Sequence, residues 1–176
     1  MSSSCDNIAH DIYHDGLMRL AMLRTKRASK PNDALRLSEL LCFTVYSAGH
    51  AFNRVYKPLL DQLGLTYPQY LVMVLLWEQD DQTVGSLCEK LFLESSTLTP
   101  LLKRLEASGH VKRTRYPLDE RQVRVGLTGE GRAMREKARL IPDCILEASG
   151  LGIDGLRRLQ SEIVALRNSL ERYHRA

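Results

Sequence analysis

A mainly α-helical chain with a small β element, an α+β fold, is predicted by three observations. Apolar residues recur at helical spacing over most of the chain from Leu35 onward. Two short helical stretches, Val84 to Leu91 and Ser96 to Ser108, are parted by only a short turn. After Gly109 the apolar period changes from 3.6 to 2, which marks a pair of strands.

Taken in order, residues 1 to 32 form a leader outside the folded body. It opens MSSSCDNIAHD, with neither the basic nor the apolar segment of a secretory signal. It closes on the basic, turn-rich RTKRASKPND, and reads as loosely docked short helices or a solvated tail. Residues 33 to 176 are the body. From Leu35 to Leu63 the residues Leu37, Leu41, Val45, Ala48, Phe52, Val55 and Leu59 follow a helical pattern, which Pro58 is expected to kink or divide. Gly64 is a stop. Thr66, Pro68 and Gln69 then supply an N-cap, an early proline and a capping-box partner for a buried helix reaching about Glu78. Gln79 to Gln82 is a polar loop. Val84, Leu87, Cys88 and Leu91 share one face of the next helix, and Phe92 to Ser95 turn into the following one, where Pro100 fits only close to the start. His110 to Tyr116 and Gln122 to Leu127 read as strands around a Pro117–Glu120 turn. Thr128 to Ser149 and Asp154 to Tyr173 read as two further helices. In the last, Leu156, Leu159, Ile163, Leu166 and Leu170 are spaced as the a/d seam of a coiled coil.

The 176 residues are 44% hydrophobic and 26% charged, ample for one packed domain with a helical extension. The longest apolar run, Leu71 to Trp77, is about two helical turns and cannot cross a bilayer. No membrane association and a cytoplasmic location are expected, where thiols stay reduced and a permanent disulfide is not expected. None of Cys5, Cys42, Cys88 and Cys144 forms a C-x-x-C pair. His10 and His14, at i and i+4, lack companion ligands, so neither a metal nor a cofactor is predicted.

Two short helices and a two-stranded ribbon together describe a winged helix-turn-helix over residues 83 to 128, flanked by dimerisation helices at 35 to 64 and 129 to 175. Ser95, Ser96, Thr97 and Thr99 give the second helix the short polar start that a DNA-reading helix needs, and Lys103 and Arg104 follow one turn on. The ribbon adds Lys112, Arg113, Arg115, Arg121 and Arg124. Between Pro100 and Val125 seven Lys or Arg stand against three acids, a net of +4, which equals the formal charge of the whole chain. Asp119 is placed to orient Arg121 at the wing tip, where an arginine suits a narrow minor groove. Double-stranded DNA is the predicted partner. The C-terminal leucine seam predicts a homodimer, and hence an inverted-repeat operator with half-sites about one turn of DNA apart. A seam of this kind also serves packing within one chain.

The element order and the Asp119-x-Arg121 wing followed by Leu127-Thr128 resemble the MarR family of regulators. A narrower likeness lies in Leu41-Cys42-Phe43, Tyr46, Tyr56-Lys57-Pro58-Leu59-Leu60, the stretch LGLTYPQY from Leu63 and STLTPLLKRLE from Ser96, which resemble the organic hydroperoxide resistance regulators, OhrR. The resemblance runs from about Ser38 to the C-terminal end. It implies a homodimeric repressor rather than an enzyme. In such a repressor Cys42 would be oxidised to a sulfenic acid by an organic hydroperoxide, with Tyr46, Tyr56 and Tyr67 around it. Some family members also carry a second cysteine that closes an intersubunit disulfide with the oxidised sensor. It falls about three residues later than Cys144, where this chain has Glu147, so Cys144 is a candidate resolving residue displaced by about one helical turn. Capping by a small thiol is the alternative.

The residues themselves leave the thiol's role open. A sensor cysteine must be reachable and partly thiolate. Among Leu40, Leu41 and Phe43, however, Cys42 also fits the description of a small buried hydrophobe. Tyr46 lies one turn away on the same face. Tyr56, about 21 Å further along a straight helix, reaches Cys42 only through a sharp bend or from the other subunit, and the spacing favours the latter. Two other readings stand: a regulator with an inert Cys42 that answers to a small phenolic or aromatic ligand, and a thiol peroxidase, for which no catalytic set is visible.

Overall fold

The computed structural model describes residues 36–116 and 119–175, and for 116, 119–121 and 175 the backbone alone. The leader with Cys5, His10 and His14 lies outside the described residues, as do the side chains of the expected wing-tip pair, Asp119 and Arg121. A 3-10 turn at Leu37–Glu39 precedes α1 (Leu41–Asp61). There follow α2 (Tyr67–Glu78), β1 (Gln82–Thr83), α3 (Val84–Leu91), α4 (Ser95–Ala107), β2 (Val111–Tyr116), β3 (Asp119–Leu127), α5 (Gly129–Ala138), α6 (Ile141–Ala148) and α7 (Ile153–Arg175). The chain divides into two compact units, one of residues His50–Ile141 and one whose described residues are 36–49 and 142–175.

The unit His50–Ile141 is built on α2. Gln69 Oε1 accepts hydrogen bonds from the Thr66 backbone N–H at 2.8 Å and the Thr66 hydroxyl at 2.9 Å, which fastens the helix start as its sequence predicts. The helix is apolar almost all round, and it buries Tyr70, Val72, Met73 and Leu76. Leu87 of α3, Leu98, Leu102 and Leu105 of α4, and Val111 and Val125 of the sheet complete the core, each at most 2% exposed. The sheet is antiparallel in the order β1-β3-β2. Gln82, buried in β1, is fully used. Its amide donates to the Leu75 and Gln79 carbonyls at 2.8 Å, and its oxygen accepts from Lys90 at 2.6 Å and Ser86 at 3.3 Å.

Four expectations are corrected. Pro58 does not divide α1, which runs unbroken from Leu41 to Asp61. The helix expected over 128–149 is two, α5 and α6, because Pro142 cannot continue a helix but fits the first turn of a new one. Strand β1 is only two residues long, too short for any period to show. Pro100 falls in the second turn of α4, on its exposed side, rather than at the helix start.

In the other unit, large apolar side chains face outward. On α1, Leu41, Val45 and Tyr46 are exposed, and the Phe43 and Tyr46 rings stack with centroids 6.4 Å apart. On α7, Leu159, Ile163 and Leu170 of the expected seam are 42%, 47% and 62% exposed. That is an apolar stripe with no covering layer among the described residues.

Candidate functional site

Helix α3 starts at Thr83, whose hydroxyl accepts from Ser86 N–H at 3.1 Å. It ends at Phe92, which takes the left-handed conformation at φ 55 so that Leu93 N–H can return to the Cys88 carbonyl. This turn launches α4. Leu98, Leu102 and Leu105 pin α4 to the core through one face. The same periodicity leaves Ser95, Ser96, Thr97, Lys103 and Arg104 exposed, and Thr99 half-buried. The Thr99 hydroxyl donates to the Ser95 carbonyl at 2.7 Å. The positive end of the α4 dipole therefore opens among short polar side chains, an arrangement suited to phosphate and base edges.

Register sorts the basic residues of the ribbon. Arg113 pairs with Val125 and Arg115 with Val123, so both arginines project from the face that carries the buried Val125. Lys112 opposite Gly126, and Thr114 opposite Arg124, stand on the other face. The basic cluster of the sequence is thus split across two faces. Two of its members are also ion-paired. The Arg113 guanidinium lies 2.6 Å from Glu106 of α4, whose other oxygen accepts the Arg113 N–H at 3.0 Å. Those hydrogen bonds hold the Glu106 carboxyl below its usual value. Arg124 is gripped by Asp81, with Nε 3.0 Å from both carboxylate oxygens. Arg115 and Lys112 are exposed.

Between α3, α4 and the ribbon lies a cavity of about 540 Å³ lined by Thr83, Ser95, Thr99, Leu102, Arg113 and Gln122, among others. Neither this cavity nor the acids Asp80 and Asp81 stand out in the sequence. The one local signal is an acidic pair placed directly after a helix end.

The expected tyrosines are brought together in part. Tyr56 and Tyr67 meet at 4.7 Å between centroids, and Tyr70, which sequence reasoning missed, joins them 5.9 Å from Tyr56. Tyr70 in turn stands edge-on to Trp77 at 6.2 Å, and Trp77 Nε1 donates to the Gly131 carbonyl at 2.8 Å. Burial, with the neighbouring Tyr67 and Tyr70, pushes the Tyr56 hydroxyl up to about 12. Cys42 and Tyr46 belong to the other unit. Cys42 is a free, exposed thiol, not the buried hydrophobe that its neighbours allow. Cys88 is free and half-buried, and burial, reinforced by Glu94, raises its thiol. Cys144 is half-buried and is not a free thiol. Among the described residues no group of His, Cys, Asp or Glu could hold a metal ion, and no helix is long and apolar enough to cross a membrane.

A helix-turn-helix followed by an antiparallel ribbon, with a polar, positive helix start turned outward, defines a winged-helix DNA-binding regulator. Comparisons make the class specific. Residues 54–138 match the family model described as transcriptional regulator SarA/Rot. The chain is 47% identical to the HTH-type transcriptional regulator TtmR of Methylorubrum extorquens, over 79% of this chain and 71% of that one. It is 44% identical to the organic hydroperoxide resistance transcriptional regulator of Bacillus subtilis, over 78% and 94%. Among solved structures, reduced AbfR bound to DNA, a Staphylococcus epidermidis protein, superposes with a TM-score of 0.65 at 36% identity, over 81% of this chain and 98% of that one. AbfR is also known overoxidised on DNA and in a disulfide-formed state. A mutant of E. coli MarR complexed with operator DNA superposes at a TM-score of 0.65 and 26% identity, over 72% and 92%. The chain belongs to the MarR/SarA family of DNA-binding transcriptional regulators, and it is not an enzyme.

Proposed function

We propose that this regulator is a cytoplasmic homodimeric repressor that leaves its operator when an organic hydroperoxide oxidises Cys42. The observation that carries the reading is the exposed, free thiol of Cys42 one turn from Tyr46, in a chain 44% identical to an organic hydroperoxide resistance regulator. The Cys42 thiolate attacks the terminal peroxide oxygen, the O–O bond breaks, and the alcohol leaves while sulfur becomes a sulfenic acid. The departing alkoxide takes a proton from solvent and leaves as the alcohol. The outward apolar stripe of Leu159, Ile163 and Leu170 supports the homodimer. Ser95, Ser96, Thr97, Thr99, Lys103 and Arg104 face the major groove, and the ribbon, with Arg115, Asp119 and Arg121, reaches the flanking duplex. Mobility shift with cumene hydroperoxide, paired with mass spectrometry of Cys42, tests this. Native protein releases DNA as Cys42 gains one oxygen, whereas Cys42→Ser stays bound. Release of Cys42→Ser at the same dose would sink the thiol reading.

The cavity beside Ser95, Thr99 and Arg113 favours a second reading, in which a small phenolic or aromatic anion lodges there and Cys42 is inert. Calorimetric titration with salicylate separates the two, since only the second predicts binding that Arg113→Ala removes.

A further inference from the structure

Asp80 and Asp81, in the turn between α2 and β1, hold the base of the ribbon at several points. One Asp80 oxygen accepts the Leu127 N–H of β3 at 2.8 Å and the Asp81 N–H at 2.7 Å, and the other lies 2.6 Å from the Arg132 guanidinium of α5. Burial by itself would raise the Asp80 carboxyl, but these three donors outweigh it and hold it below its usual value. Asp81 adopts φ 55, a conformation that few residues other than glycine take, though aspartate tolerates it. In that conformation its carboxylate receives Arg124 through Nε at 3.0 Å and Nη2 at 2.8 Å, and its backbone carbonyl accepts from Nη2 as well. A single exposed ion pair is worth little, but a forked pair with a backbone acceptor, tied into a second carboxylate network, is the exception.

Placement conflicts with electrostatics. Two carboxylates at the root of a DNA-binding ribbon repel the duplex, so charge alone makes them a liability. We infer that Asp80 and Asp81 are positioning residues for DNA binding: they brace the ribbon at its working pitch, and Arg124 is their strut rather than a phosphate contact. The inference rests on the reading that the ribbon meets DNA.

The two accounts differ in sign. If charge alone acts, Asp81→Asn tightens binding and Arg124→Gln weakens it. If the pair is a brace, both weaken binding by about tenfold, the middle of the range for coupled neighbours, and the double variant is no worse than either single one. Arg124→Lys keeps the charge but loses the fork, so it weakens binding too. The probe is a fluorescein-labelled duplex selected by the full-length protein from a random-sequence library. It is read by anisotropy, by hydroxyl-radical footprinting and, for the protein alone, by thermal unfolding. The expected result is weaker binding with loss of protection on the flanks, at an unfolding temperature close to native. Tighter or unchanged binding by Asp81→Asn, native-like binding by Arg124→Lys, additive losses in the double variant, or flank protection that survives in the variants would each overturn the brace. A native footprint without flank protection would instead overturn the placement of the ribbon on DNA.

Discussion

Gly131→Ala puts two opposed effects on one atom. Gly131 lies in α5, and in an unobstructed helix the exchange gains roughly 1 kcal/mol from backbone entropy and propensity. Here an added Cβ would overlap the His110 carbonyl oxygen, stand 3.0 Å from the His110 carbonyl carbon and press on Leu127 Cδ2 at 3.3 Å. The first neighbour is backbone, so α5 itself has to move off β2. Thr128 N–H to His110 O at 3.1 Å ties the N-cap of α5 to that carbonyl, and Trp77 Nε1–H to Gly131 O at 2.8 Å ties α5 to α2; both would be strained by the shift. Overpacking costs about 1–3 kcal/mol, and each weakened bond about 1 kcal/mol. With the propensity gain set against them, the net loss is about 2–4 kcal/mol, or roughly 10 °C or more in Tm for a unit of this size. Urea unfolding and calorimetry measure it. Gly129→Ala, in the same helix with nothing within 4 Å of its added Cβ, is the control and stays near native. If Gly131→Ala proved as stable as the native chain, or more so, the close docking of α5 on the strand would be wrong.

Other outcomes follow from single residues. Leu102→Ala, at a side chain 1% exposed beneath α4, should destabilise by about 2–5 kcal/mol in urea titration, with a lower midpoint and an unchanged slope. Tyr56 holds its proton up to about 12, above the ordinary 10, so the stability it contributes is complete below pH 10 and is lost as pH rises through 12. Tyr56→Phe should therefore flatten the fall in stability between those pH values, and the native chain should show the Tyr56, Tyr67 and Tyr70 cluster ionising late in absorbance at 295 nm, since burial raises all three hydroxyls. The proposed homodimer makes Ile163→Asp sediment closer to a monomer than the native chain, and equal sedimentation of the two at low micromolar concentration would remove α7 from any interface.

Much of this molecule is legible in its sequence because the signals are short-range. The Thr66–Gln69 box, the Val84-Leu87-Cys88-Leu91 face, the short polar start at Ser95 to Thr99 and the switch of period after Gly109 each act within a turn or two. They set the helix-turn-helix and ribbon order without reference to the rest of the chain. The Asp81–Arg124 and Asp80–Arg132 pairs span 43 and 52 residues, and no local pattern announces them. Charge counted along the chain treats Arg113, Arg115 and Arg124 alike. Only strand register puts Arg124 on the opposite face, and only packing turns it toward a carboxylate. The exposure of Cys42 belongs to the same class, since Leu40, Leu41 and Phe43 surround it equally in a buried helix and an exposed one. By itself the sequence determined which elements form and in what order, because propensity, caps and periodicity are local free energies. The tertiary structure decided which charges are free, which are braced and which thiol meets solvent, because those depend on groups that only folding brings within a few ångströms.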